Sequence, residues 1–444
     1  RVSVPSQPYL THKFTDSGGV KFDSFIEPYF VSANGAVLLL DSYLPLFVSI
    51  NDKKDGQLVF KSAFLEPYSP DSFKAGLTLS YKVCKGFSAR AVHQRLSPLR
   101  LRPPLPAAPS GSLLQFPIWS TRAFQDAQLN EAGLIEFTSK FSVWKLPYNH
   151  LFIVGNYSKA SGVFSFNEKK FPHSHQLIME WKEKFSSKVG ELLVGVEVSP
   201  SVPETGLQNS ESPVHVQYSS SATQNMRPGQ NLLLDITSES AVHWFKSQLR
   251  GLRDMSVHGF LFAGGHAASL FPRHTLQSDL VTNRSLLHPN QYTEMYGEIA
   301  GSIAMPTADR GYSILGSGYL AQKHGFVADA GPFGSAWDHR KGLKAVIPTT
   351  ITCGLLGYPF VVAGPVGGLS FSGTPPSKEL YVRWLSLATY LPALEMAWGP
   401  WLYDQTVINH ARSMLEFRQL VLWPKYFAEL VEEAAKTGTP ILRP

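Results

Sequence analysis

The chain has little cysteine, little charge and no long apolar run. Only two of its 444 residues are cysteines, Cys84 and Cys353, which excludes a disulfide-built scaffold and any zinc or redox motif of paired thiols. Each lies in an apolar run and is read as a buried free thiol, with one inter-domain disulfide as the alternative. Charged residues make up 17% and hydrophobic residues 43%, a balance that excludes a disordered chain. No apolar stretch reaches the ~18 residues of a membrane span, and no signal peptide is visible. The 14 histidines show no H-E-x-x-H or other metal-ligand spacing. Gly316-Ser317-Gly318 lacks the spacing of a nucleophile elbow, and no G-x-G-x-x-G follows an early strand. Neither a metal nor a cofactor is expected. The net charge of +6 reads as diffuse, and the densest basic cluster, Arg95, Arg100 and Arg102, is too short to argue nucleic-acid binding. A mild preference for anionic ligands is all that the charge supports.

Aromatic residues reach 12%, with nine Trp, a content that suits a sugar-stacking cleft and a large core equally. Residues 1–96 offer strand-like runs at Ala36–Leu40, Leu46–Ile50 and Leu77–Cys84, broken by Gly, Asn and Asp turns, and read as an N-terminal β-sandwich domain. Residues 97–112, rich in proline, read as a linker. From residue 116 onwards short apolar strands alternate with amphipathic helices. The candidate strands are Phe116–Thr121, His150–Gly155, Leu192–Val198, Gly259–Gly264, Tyr312–Gly316, Gly325–Ala328, Gly357–Ala363 and Pro440–Leu442. Candidate helices include Ser238–Leu252, Gln291–Ala304, Lys341–Leu356 and Lys378–Leu394, followed by a long helical stretch Asp404–Lys436 interrupted at Pro424. Eight strand–helix repeats over 113–444 predict a (β/α)₈ TIM barrel of the α/β class, with a doubly wound sheet as the alternative. A Ser-, Gln- and Asn-rich insertion, 200–230, follows the third strand and is expected on the active-site face.

Asn156-Tyr157-Ser158 and Asn283-Arg284-Ser285 are N-glycosylation sequons, weak evidence for a secreted chain. The chain does not begin with Met and stops at Ile441-Leu442-Arg443-Pro444. It is therefore expected to be a segment of a longer protein, with any membrane anchor outside it.

Residues 259–273, GFLFAGGHAASLFPR, form a short apolar strand running into a glycine-rich turn. This stretch resembles the G-F-x-F-D-x-G-E segment of glycoside hydrolase family 31. Further stretches extend the resemblance: Phe171-Pro172, Asp235-Ile236-Thr237 leading to Trp244-Phe245, Gly342-Leu343-Lys344 to Phe360, Arg383-Trp384, and Thr437-Gly438 to Pro444. The wording of Ser80–Cys84, Tyr292-Thr293-Glu294-Met295 and Tyr358-Pro359-Phe360 resembles a membrane-anchored branch of that family, which includes a stilbene-disulfonate-binding protein. The resemblance implies a sandwich followed by a barrel, cut before the family's C-terminal β domains, and a lumenal or extracellular location.

It also implies where catalysis would sit. A retaining glycosidase needs two carboxyl groups ~5–5.5 Å apart. The nucleophile position holds Ala263, and the family's neighbouring Glu is His266. The acid/base position, counted back from Trp337, holds Gly334, with Asp329 or Asp338 as weak substitutes if the loop carries an insertion. Acidic positions of the family also fall on Val154, within Phe152-Ile153-Val154-Gly155, and on Gly364. Arg383 and Trp384 remain as candidate ligand contacts, with Trp337, Trp401 and His266 beside them. The expectation is a catalytically degenerate family member, a binding or scaffold module. Two alternatives stay open: an active retaining α-glycosidase with unconventional carboxylates, and a receptor for small organic anions drawn to a mouth turned positive around Arg383. A carbohydrate or small organic anion is the expected ligand, nucleic acid is not a partner, and a homodimer is compatible with the sequence.

Overall fold

The computed structural model describes residues 3–11, 24–68, 77–105, 108–159, 163–185, 191–202, 217–218, 232–270, 274–275, 288–303, 312–370 and 372–443. Six strands open the chain: β1 (Val4–Pro8), β2 (Tyr29–Val31), β3 (Ala36–Leu40), β4 (Leu46–Ile50), β5 (Leu58–Ser62) and β6 (Tyr81–Lys85). They form two antiparallel three-stranded sheets, β1-β4-β5 and β2-β3-β6. Val4, Ile26, Leu40, Leu46 and Val48 fill the space between them, giving the sandwich-like domain that the alternation predicts. Helix α1 (Ala89–Arg100) follows, capped by the Ser88 hydroxyl, and buries Val92 against Tyr29 and Val37 of the second sheet. Its last turn occupies residues 97–100, where the sequence reads as linker. A second short helix, Gly111–Gln115, occupies the end of that stretch.

Eight parallel strands close into a barrel. In chain order they are Ile118–Ser120, His150–Ile153, Leu193–Val198, Val257–Phe262, Tyr312–Leu315, Val327–Asp329, Val361–Pro365 and Ala393–Met396. Seven match the expected strands. The eighth does not: it is Ala393–Met396, which closes the barrel through Glu395 opposite Ile118, and not Pro440–Leu442. The helix before it ends at Ala388 rather than 394. A four-residue strand buried at every position has no alternation to mark it. Ile441 is buried under the barrel instead, with Leu113, Phe427 and Val431.

Alternation along each strand sorts the side chains into two layers. Ile118, Phe152, Leu193, Leu261, Tyr312, Val327, Val362 and Ala393 point to the axis and pack there. Trp119, Val194, Phe262, Ala328 and Met396 point outward, under helices that contribute Phe141, Phe245, Tyr296 and Trp384. Gly259 makes room for this packing, since a Cβ there would lie 1.9 Å from the Tyr312 ring. The long C-terminal helix is not broken at Pro424. It runs as Gln405–Phe417, a π-helical stretch Arg418–Phe427 that absorbs the proline, and Ala428–Thr437.

Candidate functional site: a charged barrel mouth

The two-residue alternation dictates which residues face the axis at the C-terminal ends of the strands. Beyond the apolar layer, the next inward positions are Ser120, Val154, Glu197, Ala263, Asp329, Gly364 and Glu395. These are the positions from which a TIM barrel presents catalytic groups.

Ala263 lies where the family resemblance puts the nucleophile. Its N–H donates to the Val198 carbonyl at 2.8 Å, its carbonyl accepts from the Tyr296 hydroxyl at 3.1 Å, and its methyl packs on the inner cluster beside Val154. The turn after it is held by glycine: Gly265 has φ +69°, and a Cβ there would fall 2.0 Å from the Tyr296 ring. His266 is half-buried, with Nδ1 3.1 Å from the Ser269 hydroxyl. The N-terminal domain reaches this loop, because Thr11 Oγ1 accepts from the Ala267 N–H at 2.7 Å.

At Gly334 an added Cβ would meet nothing closer than the Lys341 carbonyl at 3.8 Å. There is room for a side chain, and none is present. Gly364 has φ +64°, a conformation that favours glycine. Asp338 is exposed and accepts from the N–H groups of Arg340 and Lys341 at 2.7 and 2.8 Å. Those two donors hold its carboxyl below the usual range, so it caps a turn.

Asp329 does reach the mouth, but within a network that the sequence reading missed. Arg122, two residues beyond the first barrel strand, places Nη2 2.8 Å from Asp329 Oδ2 and Nε 3.1 Å from Glu395 Oε1. One guanidinium therefore holds two carboxylates. Asp329 Oδ1 also accepts from the Gly331 N–H at 3.0 Å, and Glu395 Oε1 accepts from the Ser120 hydroxyl at 2.6 Å. Glu197 completes the group, accepting from the Gly155 N–H at 3.0 Å. Burial raises the Glu197 carboxyl, opposed by that N–H and by Arg122. Glu395 is raised by burial as well, against the pull of Arg122. Burial opposes the charge on Arg122, but Asp329 and Glu395 outweigh it and hold the guanidinium above its ordinary value. Glu197 and Glu395 are lone acids in apolar strands, and that signal could have found them.

The retained Arg383 is not at the mouth. It lies on the outward face of helix Lys378–Ala388, exposed, and pairs with Glu379 at 2.9 Å. Its neighbour Trp384, about 100° further round the helix, is fully buried against Phe333. Trp401 stacks on Trp119 at 5.8 Å in the layer between strands and helices. Trp337 alone among the three tryptophans is exposed. The expectation of a positive mouth built on Arg383 is therefore corrected: three carboxyl groups face one guanidinium. A surface recess of about 550 Å³ lies on the rim, lined by Asp126, Asn130, Glu131, Lys169 and Lys170, and includes none of the four ionisable mouth residues. Asn156 is exposed nearby. Asn283 and most of the 200–230 insertion lie outside the described residues.

Comparison with known proteins agrees with the barrel fold. Residues 113–426 match the glycosyl hydrolases family 31 TIM-barrel domain. The chain is 28% identical over 462 aligned positions to the myogenesis-regulating glycosidase of Mus musculus, covering 99% of this chain and 60% of that protein. It is 25% identical to the SITS-binding protein of Tetronarce californica, covering 100% of this chain and again 60% of the relative. The chain thus spans about three-fifths of the length of either. Among solved structures, a family 31 sulfoquinovosidase from E. rectale superposes with TM-score 0.71 at 14% identity, over 98% of this chain and 68% of that one. A xylosidase from Aspergillus niger gives TM-score 0.71 at 17% identity, over 96% and 62%. At such identities the likeness speaks for the fold alone. The chain belongs to glycosyl hydrolase family 31, through its TIM-barrel domain.

Proposed function

We propose that this chain is a catalytically degenerate family 31 barrel, serving as a carbohydrate-binding or scaffold module on the lumenal or extracellular side of a membrane. The observation that carries the reading is the methyl group of Ala263, which faces the axis where the nucleophile is expected. A methyl cannot form the glycosyl-enzyme ester, so the two-step retaining route is closed. Gly334 adds to this, since each positioned acid or base supplies about 10²–10⁴ in rate. Asp329 is a poor replacement: one oxygen is engaged by Arg122 and the other by the Gly331 N–H. The organic-anion reading lacks its cation, because Arg383 lies on the outer surface. The exposed Asn156 suits a glycan-bearing chain, with the membrane anchor outside this segment.

A second reading keeps one specific support: Asp329 and Glu395 share one guanidinium at the mouth. The full-length protein assayed against aryl α-galactosides and α-glucosides separates the two. The expected result is no turnover above the uncatalysed background of each substrate. Turnover abolished by Asp329→Asn or Glu395→Gln would establish the active alternative.

A further inference from the structure

All of the chain's net positive charge sits in one stretch. Residues 72–125 hold eight Lys and Arg and no Asp or Glu, so that with +6 for the whole chain the remainder carries −2. The charge is not diffuse. In the fold this stretch includes β6, the turn after it and α1. Lys82, Lys85, Arg90 and Arg95 are all exposed, and none has an ion-pair partner among the described residues.

Apolar groups stand among these cations. Phe87, at the tip of the turn between β6 and α1, is 105% exposed, and Val83 on the strand is 64% exposed. The Gly86 N–H donates to the Gly35 carbonyl at 2.8 Å, which pins this turn against the β2–β3 turn. A Cβ on Gly35 would lie 2.6 Å from the Gly86 oxygen, so the two turns touch. Val31, at the start of the neighbouring turn, is 43% exposed. One end of the N-terminal domain therefore presents a phenylalanine ring at its tip, with the exposed Val31 and Val83 on opposite faces of the sheet behind it, among cations and with no acid between residues 72 and 125.

We propose that this end of the N-terminal domain, centred on Phe87 between Lys85 and Arg90, docks on an anionic lipid bilayer. Basic side chains attract such a surface, and an aromatic ring at the tip enters the interfacial zone. The aliphatic groups favour a bilayer over nucleic acid or a sulfated polysaccharide, neither of which offers them an apolar phase. Phe87 contributes no packing to the fold, so its exposure costs nothing to relieve by insertion. The docking surface is separate from the barrel mouth and does not rest on the function proposed there.

The test is co-sedimentation of the full chain with phosphatidylcholine vesicles, with and without about 30% phosphatidylserine. Binding is expected only with the anionic lipid, and is expected to weaken as salt rises. At about fivefold per cation, the double variant Lys85→Glu/Arg90→Glu should lose at least about 25-fold in partitioning. Phe87→Ser should lose about tenfold, with an unchanged melting curve because the ring is unpacked. Phe87→Trp should show a blue-shifted emission on adding vesicles. Equal binding to neutral vesicles, full binding by Phe87→Ser, or retention on heparin or nucleic acid without vesicle binding would each overturn the proposal.

Discussion

Two buried arginines, one at each end of the barrel, are satisfied in opposite ways. At the mouth, Arg122 is held by the carboxylates of Asp329 and Glu395. At the base, Arg418 is fully buried and, among the described residues, meets no carboxylate: its guanidinium donates to the carbonyls of Thr389 and Leu391 at 2.6 and 2.7 Å, of Pro392 at 2.7 Å, and of Leu114. Phe427 lies 5.0 Å beneath it. Burial without a counter-charge pushes Arg418 down to about 9. The base of the barrel uses dipoles at a helix C-terminus, where backbone carbonyls need donors. The mouth uses full charges, which a structural role does not require and which burial penalises. Neutral dipoles satisfy the buried arginine at the base, and ionisable side chains satisfy the one at the mouth.

Removing each arginine should separate the two ends, and the base should show the larger loss. Arg418→Met strips five hydrogen bonds from four buried carbonyls. A loss of about 3–5 kcal/mol is expected, since each bond to a charged donor contributes about 1.5–3 kcal/mol and bonds sharing one donor are not additive. Arg418→Lys should recover only part of it, having three donors in place of a planar fork. Urea denaturation gives the comparison, and a loss below about 1 kcal/mol would deny the base its structural role.

Arg122→Met should cost about 2–4 kcal/mol near pH 8, by leaving buried carboxylates uncompensated. Its signature is pH dependence. The folded-state values of Glu197 and Glu395 are already raised, so their favourable contribution is complete below the unfolded value of about 4.5 and is lost as pH rises. Removing the guanidinium raises them further. The deficit of Arg122→Met against wild type should therefore shrink towards pH 4–5, while that of Arg418→Met should not. Parallel deficits at both pH values would erase the distinction between the ends.

A third buried ionisable group, at the seam between the domains, gives an effect graded with pH. Glu27 accepts from the Leu320 N–H and the Tyr358 hydroxyl, both at 2.9 Å, while its second oxygen has no partner among the described residues. Burial lifts this carboxyl to about 8, against the pull of those two donors. Its contribution is full below about 4.5 and fades as pH approaches 8, by at most about 1.4 kcal/mol per pH unit. Glu27→Gln should flatten that slope. A variant as pH-sensitive as wild type would show that Glu27 is already ionised in the fold.

How much of this was legible in the sequence depends on how far each feature is local. Ala263 could be read directly, because a strand and its glycine turn fix the frame around it. Seven strands were legible from apolar runs bounded by turns. The eighth was not, because Ala393–Met396 follows a helix after only Thr389 to Pro392. That error hid Glu395, and with it the network. Arg383 was misplaced for a different reason: adjacency to Trp384 suggested a shared site, whereas a helix sends neighbours to different faces. Arg122 has no local mark at all, since its partners lie 207 and more residues away.

The smallest expected effect tests the proposed loss of an acid at the mouth. If the acid/base position is an empty place rather than a refilled one, a methyl should enter it without resistance. At Gly334 an added Cβ finds only the Lys341 oxygen at 3.8 Å, and the backbone lies outside the left-handed region. Gly334→Ala should change stability by no more than about 0.5 kcal/mol, with a small gain from reduced unfolded-state entropy as the favoured sign. Gly265→Ala is the control, because its Cβ would strike the Tyr296 ring at 2.0 Å in a backbone of φ +69°. It should cost several times more, about 2–4 kcal/mol, through overpacking and strain together. If Gly334→Ala proved as damaging as the control, the loop after the sixth strand would be closely packed. The missing carboxyl would then reflect a backbone rebuilt around glycine, and not a site that kept its shape and lost its acid.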